Sequence, residues 1–389
     1  MSLEASFLVP AQPRPTWRHL VGPPTANPVP ARISARVEPV FWGRSALFHG
    51  VRALGLRPGD AVLVPAFHCA SVIEPILRAG LQVEFFRVGR DGSPDLEDVK
   101  RRIDARTRAL LVIHYFGFPQ PIRELHRLAV AHGLFLIEDC AHVLLGHLEG
   151  EPLGGWGDIA VFSWRKFLPL YDGGYLVVND PRLPLPVRWE RETVLLKLKI
   201  LYNVLGRLVD LPAGLTARLG RVSTALTALG RSLLAGVGDA RALAVRNWGT
   251  DFDSSAANLR MSSVSRHVLS RLDLHAIVER RRLNFLHLLR ATRWLPGLAP
   301  LVEDLPDGAC PLAFPVIAET RDFHLELRSR GIPAVTWAGV VHPDFPSASF
   351  PDADFLFHHL VLLPIHQDLH DTHLETIVRV LESAALGSR

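Results

Sequence analysis

Cysteine is scarce in this chain: 389 residues hold three, Cys69, Cys140 and Cys310, with no CxxC pair among them. An odd, widely spaced set excludes a disulfide framework and a cysteine-based structural zinc site, and it points to a reducing compartment. Clustered charge is missing too. The formal net charge of +4 is small for this length, and no run of lysine or arginine is interleaved with aromatics, which excludes the footprint of a nucleic-acid-binding surface. The opening residues, MSLEASFLVPAQPRPTW, lack the basic start and apolar core of a secretory signal, so a cytoplasmic location is expected. Histidines are dispersed, and the adjacent His358 and His359 do not share a helix face, so no metal site is expected.

What is present is apolar texture. Hydrophobic residues make up 48% of the chain, and a single core stops growing at roughly 250–300 residues, so two domains are expected. Residues 1–40 are rich in proline and arginine and read as an extended arm, lying on the body or on a partner subunit. Residues 41–250 read as the large domain and 251–389 as a smaller α/β domain. AVLVPAF, QVEFFRV, ALLVIHYF, LFLIED, IAVFSW and YLVVND are short apolar runs, and the first four alternate with helix-like segments such as SVIEPILRAG and IRELHRLAVAHG. That alternation predicts a three-layer αβα domain with a mostly parallel sheet. Between Leu185 and Arg246 the chain turns leucine-rich, with no stretch reaching the ~18 apolar residues of a membrane-spanning helix. Two amphipathic helices fit this insertion, either packed on the domain or making a peripheral contact with a membrane interface.

The chemistry gathers between Leu134 and Asp180. LFLIED ends in two acids, His142 follows three residues after Asp139, and a lone Lys166 stands after Ser163 and Trp164, just before Asp172-Gly173-Gly174. A strand ending in carboxylates delivers them to the edge of the sheet where open α/β folds bind ligands. A buried ionised carboxylate suits a protonated pyridine nitrogen, an imidazole suits a phenolic oxygen, and a lysine with a lowered pKa suits an aldehyde. Those are the needs of pyridoxal phosphate. The same residues also fit a strand-end cap and a solvated lysine before a glycine turn, and the residues alone leave both readings open.

A series of motifs in order resembles the DegT-type (DegT/DnrJ/StrS) nucleotide-sugar aminotransferases from about Phe41 to the C-terminus. LRPGDAVLVPAFHCASVIEPILRAG resembles that family's strand and helix after the first loop, and DARTRALLVIHYFG its TRAIIPVHLYG segment. LIEDCAH resembles IEDAAQ or IEDAAH, GDIAVFSW resembles GD.A.FSF, and YDGGYLV resembles the glycine turn. NLRMSSVS and LVLLPIHQDL resemble NYRMSEI and LPIHP.L. The resemblance implies the aspartate aminotransferase fold, fold type I, and a pyridoxal phosphate enzyme. It implies that Lys166 bonds the cofactor and shuttles the proton, that Asp139 pairs with the ring nitrogen, and that His142 sits near the ring hydroxyl, where many relatives have glutamine. Ser163 and the backbone amides of Ser45 and Ala46 would hold the phosphate at a helix N-terminus. Asn258 matches the asparagine that in relatives reaches the phosphate of a neighbouring subunit, implying a homodimer with shared sites.

Two departures stand out. Lys166 follows Ser163 by three positions, where relatives carry a longer run such as SFHATK. The stacking aromatic of relatives falls near His68 or Cys69, so His68 either stacks on the cofactor or is satisfied by backbone in a strand-to-helix turn. The function so implied is transfer of an amino group, from glutamate, to a keto sugar that is nucleotide-linked. The presence of Lys166 argues against the dehydratases of this scaffold that carry histidine there. The alternative is a catalytically silent, membrane-associated partner in a glycan assembly pathway.

Overall fold

The computed structural model describes residues 7–30, 35–185, 187–209, 252–337 and 341–387. Twelve strands are seen: β1 Arg36–Val40, β2 Ala61–Pro65, β3 Gln82–Phe86, β4 Thr107–Ile113, β5 Phe135–Cys140, β6 His147–Leu148, β7 Glu151–Pro152, β8 Ile159–Ser163, β9 Gly174–Val178, β10 Leu298–Pro300, β11 Phe314–Ala318 and β12 Leu360–Leu363. The helices used below are α1 Arg18–Val21, α2 Gly43–Ala53, α3 Ala70–Arg78, α4 Leu96–Arg102, α5 Ile122–Ala131, α6 Val194–Gly206, α7 Ser263–Leu269, α8 Leu274–Thr292, α9 Phe323–Ser329, α10 Pro351–His359 and α11 Asp371–Gly387.

Every apolar run singled out in the sequence is a strand of one seven-stranded sheet, ordered β1-β9-β8-β5-β4-β2-β3. β8, β5, β4, β2 and β3 are parallel, and β9 runs antiparallel to both neighbours. β2, β8 and β9 are buried along their whole length, as strands covered on both faces are. The remaining member, β1, was not legible as a strand. It begins at Arg36, inside the segment read as arm, and its Pro39 is tolerated because the strand lies at the sheet edge. The C-terminal ends of β1, β2, β4, β5 and β8 and the start of β9 therefore meet at one edge. A second, three-stranded antiparallel sheet, β10-β11-β12, is built from the C-terminal part of the chain with α8 to α11 around it.

The proline-rich arm lies on the body of its own chain. Leu8 donates its amide to the Gly331 carbonyl at 2.8 Å, Arg14 donates its amide to Asp368 at 2.8 Å, and Thr25 Oγ1 donates to the Leu272 carbonyl at 2.6 Å. Of the two helices expected between 185 and 246, one is seen as α6, whose Val194, Leu198 and Tyr202 are exposed while Leu196, Ile200 and Val204 are buried. The rest of that insertion, from 210 on, lies outside the described residues. Among the described residues no helix is long and apolar enough to cross a membrane.

Candidate active site

The two acids at the end of β5 have opposite destinations because successive strand residues point to opposite faces. Glu138 is fully buried, as is His114 beside it. Its Oε2 accepts from His114 Nε2 at 3.1 Å and from the Gly154 amide at 2.9 Å, and its Oε1 from the amides of Trp156 at 2.7 Å and Gly157 at 2.6 Å. The Gln120 amide donates to His114 Nδ1 at 3.1 Å, which leaves the proton on Nε2. Glu138, His114 and Cys140 could in distance surround a metal ion, but the carboxylate and imidazole are already satisfied by protein donors, and the cluster is structural. Glu138→Gln would set an amide donor against backbone N–H groups. We expect it to cost about 3 kcal/mol, read as a lowered urea midpoint with an unchanged slope; a loss below about 0.5 kcal/mol would contradict this account.

Asp139 faces the other way, into a pocket at the C-terminal edge of the sheet that encloses about 600 Å³ of empty space, part of it open to solvent. Trp42, Gly43, Arg44, Cys69, Asp139, His142, Ser163, Arg165, Lys166 and Trp337 all line it. Lys166 is exposed where it borders this space, which is partly open to solvent, although protein packs closely around its amine. Burial pulls its amine below the usual lysine range, Asp139 and Cys69 oppose that, and Arg165 and Arg44 reinforce it. Asp139 is the mirror image: burial raises its carboxyl, while Lys166, the Ala141 amide at 2.8 Å and His114 hold it down. A carboxylate and an amine thus face each other at low dielectric, each the other's counter-charge.

The lysine stands in a three-residue 3₁₀ turn, Trp164–Lys166. The turn is held because the Trp164 amide donates to the Gly173 carbonyl at 2.8 Å and the Trp164 indole packs edge-on against Tyr175 with centroids 4.8 Å apart. Asp172, far from a solvated turn residue, is fully buried and receives the Ser262 amide at 2.9 Å, Ser262 Oγ at 2.6 Å and Ser265 Oγ at 2.9 Å. Burial nevertheless pushes its pKa up to about 6. Gly174 pairs with both Ser163 and Val40, and a Cβ there would overlap the Trp42 carbonyl carbon. Only glycine lets β9 approach the start of α2 this closely.

His142 is fully surrounded, and burial together with the Lys166 charge drives its pKa well below the usual histidine range. A neutral ring has one acceptor nitrogen. The Phe116 amide points at Nδ1 at 3.2 Å and the Trp337 indole N–H points at Nε2 at 3.3 Å. Both donors cannot be served. With the buried backbone amide served first, Nε2 carries the proton and faces Trp337 donor to donor, ready for an acceptor placed between them.

Two expectations are corrected. Ser45 and Ala46 do not line the pocket: their amides are spent on the Trp42 carbonyl at 3.0 and 3.1 Å as α2 begins. The open N-terminus lies at Gly43 and Arg44, one to two residues earlier, where a Cβ on Gly43 would press within 3.3 Å of the Ser163 Cβ. His68 is also outside the pocket. Its Nδ1 bonds the Ala66 carbonyl at 2.8 Å and its ring stacks on Phe85 at 4.8 Å, fully buried, with its pKa pushed down to about 4. The backbone holds the Nδ1 side of the ring, while Nε2 is buried with no hydrogen-bond partner among the described residues, and Cys69 takes the pocket position instead. Asn258 does not line this pocket; its carbonyl accepts the Glu190 amide at 2.9 Å.

The sequence missed Arg44, Arg165 and Trp337. The two arginines stand inside motifs already singled out, GRSAL and SWRK. Trp337 comes from the C-terminal part of the chain and carries no local signal. Burial lowers the Arg165 pKa, and the neighbouring Arg44 guanidinium lowers it further, with Asp172 opposing. Two like charges at one helix N-terminus suit a dianion. The donor set as a whole fits pyridoxal phosphate: an amine, a carboxylate, an imidazole N–H and an anion cradle share one cavity, and the buried Nε1 of Trp42 has no hydrogen-bond partner among the described residues.

Residues 40–227 match the sequence profile of the DegT/DnrJ/EryC1/StrS aminotransferase family. Among curated proteins, GDP-perosamine synthase of Vibrio cholerae is 35% identical over 141 residues, covering 36% of this chain and 38% of that protein. The dTDP-3-amino-3,4,6-trideoxy-alpha-D-glucose transaminase of Streptomyces venezuelae is 34% identical over 177 residues, covering 43% of this chain and 46% of that one. The matched segments thus span less than half the length of either relative. The fold extends further. An aminotransferase from Streptoalloteichus hindustanus superposes with a TM-score of 0.63 over 90% of this chain and 86% of its own, at 23% identity. A Helicobacter pylori aminotransferase of pseudoaminic acid biosynthesis does so with a TM-score of 0.64 over 91% of this chain and 87% of its own, at 18% identity.

Proposed function

We propose, from the premise that residues 40–227 belong to the DegT/DnrJ/EryC1/StrS aminotransferase family, that the protein is a pyridoxal phosphate aminotransferase. It moves an amino group from glutamate to a keto sugar, nucleotide-linked, in glycan or natural-product biosynthesis. The observation that carries this reading is Lys166 facing Asp139 in a pocket that also holds an anion cradle. When bound, the cofactor supplies the electron sink for the bond broken at the amino-bearing carbon.

The chain's own groups do the rest. Lys166 would hold the cofactor covalently, and its lowered pKa favours a role in which Nζ takes a proton and returns it. Asp139 would keep the ring nitrogen protonated, and His142 would present Nε2–H to the ring oxygen. Ser163, Arg165 and the amides of Gly43 and Arg44 would hold the phosphate. No observation favours a catalytically silent chain, since the shorter Ser163 to Lys166 step still brings both residues to one cavity.

Arg165→Met tests the cradle. Losing a charge-assisted bond of about 2 kcal/mol should weaken pyridoxal phosphate binding about 30-fold while leaving pyridoxal, which lacks the phosphate, within about twofold. Equal weakening of both ligands in equilibrium dialysis would remove Arg165 from the phosphate site. The function itself is tested by incubating the protein with pyridoxal phosphate, glutamate and dTDP-, UDP- and GDP-linked keto sugars. The reading expects 2-oxoglutarate release that depends on one sugar class; cofactor loading with no turnover on any keto sugar contradicts its acceptor half.

Asn258 matches the asparagine that in relatives reaches the phosphate of a neighbouring subunit, and that resemblance supports a homodimer with shared sites. The three free cysteines support a reducing, cytoplasmic location. The exposed Val194, Leu198 and Tyr202 on one side of α6, beside Lys197 and Lys199, support a peripheral membrane contact through residues 185–246. Vesicle flotation with and without the segment checks it, and equal recovery in the soluble fraction for both would rule it out.

A further inference from the structure

A fully buried arginine that the reading above does not use sits behind the lysine. Arg281, on α8, is 1% exposed, and burial pushes its pKa down to about 10. Among the described residues no carboxylate lies within ion-pair distance of it, though the charge of Asp368 acts on it from farther away. Its donors go to neutral oxygens instead: Nε to Gln367 Oε1 at 3.1 Å, Nη1 to the Leu312 carbonyl at 3.0 Å and the Pro311 carbonyl at 3.4 Å, and Nη2 to the Phe167 carbonyl at 3.0 Å. The guanidinium also lies 4.9 Å from the centre of the Phe167 ring. Burying a guanidinium without an acid is costly, and a hydrophobic side chain of similar size would be cheaper for packing alone. What a rigid, planar fork supplies and an apolar side chain cannot is fixed geometry among the oxygens it joins.

Phe167 is the residue after Lys166. Its carbonyl receives a second bond, from Gln367 Nε2 at 3.1 Å, so the amide of Gln367 accepts from Arg281 with one end and donates to the lysine turn with the other. The turn is held upstream by the large sheet, through Gly173 and Tyr175, and downstream by the C-terminal part of the chain. The same fork is linked to the other wall of the pocket through Leu312 and Phe116. The Leu312 amide donates to the Phe116 carbonyl at 2.8 Å, and the Phe116 amide points at His142. We propose that Arg281 and Gln367 are positioning residues, which set Lys166 from the C-terminal part of the chain by locking the Phe167 carbonyl. The inference rests on the aminotransferase reading only for what the amine reacts with.

The experiment compares Gln367→Ala with Asn284→Ala. Asn284 lies on α8 at the same junction and donates to the carbonyls of Ile365 at 3.2 Å and His366 at 3.1 Å, but among the described residues no hydrogen bond joins it to the lysine turn. Two rates are measured on each full-length protein: labelling of Lys166 by trinitrobenzenesulfonate in the cofactor-free chain, located by mass spectrometry across pH, and capture of pyridoxal phosphate by Lys166, fixed with borohydride. Melting temperature controls for folding. Gln367→Ala is expected to change both rates about tenfold, as a small misplacement of a reacting group does, while Asn284→Ala lowers the melting temperature and leaves both rates within twofold. Rates that follow the melting temperature in both variants, or that stay at wild-type values in Gln367→Ala, overturn the proposal. Should the wild type capture no pyridoxal phosphate, the aminotransferase reading fails, and the labelling rates still decide whether Gln367 positions the lysine.

Discussion

Lys166→Ala is expected to lower the rate of the proposed half-reaction with glutamate about 10⁴-fold, at the upper end of what a positioned acid–base group contributes. The size of the effect follows from geometry. Lys166 is the amine that borders the pocket space, and its neighbours Arg44 and Arg165 carry guanidiniums that stay protonated and cannot take a proton in its place. The proposed phosphate anchors, Gly43, Ser163 and Arg165, are untouched by the change, so the cofactor is still expected to bind, held without a covalent bond. Single-turnover mixing with glutamate measures the rate. A loss under tenfold would mean that another group moves the proton.

The lysine's lowered pKa also fixes the sign of a pH effect. Asp139 holds the Lys166 pKa up against burial. Removing the carboxylate therefore moves the acid limb of the wild-type rate profile to lower pH, not higher.

Asp139→Asn is expected to slow the same half-reaction about 10³-fold while changing cofactor affinity less than tenfold. A carboxylate held ionised in a buried site keeps the ring nitrogen protonated, and that charge matters most when negative charge builds on the ring, the condition under which pre-organised electrostatics have their largest effect. Asparagine keeps the shape and the acceptor from the Ala141 amide, so the variant folds and binds. Removing Asp139 also strips Lys166 of the largest attraction opposing its burial, so part of the loss appears as a shifted pH profile and part as a lower plateau. Rate and affinity falling together by equal factors would assign Asp139 to binding alone.

Much of this was legible before any coordinates. Six apolar runs marked six of the seven strands in the large sheet, because a strand buried on both faces must be apolar throughout. The acids ending β5 placed Asp139 at the correct edge. The pairing of Glu138 and Asp139 looked like one feature in the sequence; strand alternation splits it into a structural anchor for residues 154–157 and a pocket carboxylate. β1 was missed because Pro39 mimics an arm and only the edge position excuses it. His68 and Cys69 are adjacent, and which of them enters the pocket depends on the turn after β2, whose geometry no local pattern declares. The sequence did not show that the first turn of α2 consumes the amides of Ser45 and Ala46, because where a helix begins is not declared by its residues alone. Trp337 and Arg281 reach the site from beyond residue 260, and side chains delivered over that distance leave no mark on the motifs they complete.

The most direct test of the account is the visible absorption spectrum of the purified protein with pyridoxal phosphate, recorded before and after glutamate, with Lys166→Ala alongside. The account predicts a band of the lysine-bound cofactor that is present in the wild type, absent in the variant, and replaced on adding glutamate by the absorption of the aminated cofactor. A wild-type spectrum identical to that of free pyridoxal phosphate, or a lysine-dependent band that glutamate and other amino acids leave unchanged, would contradict it.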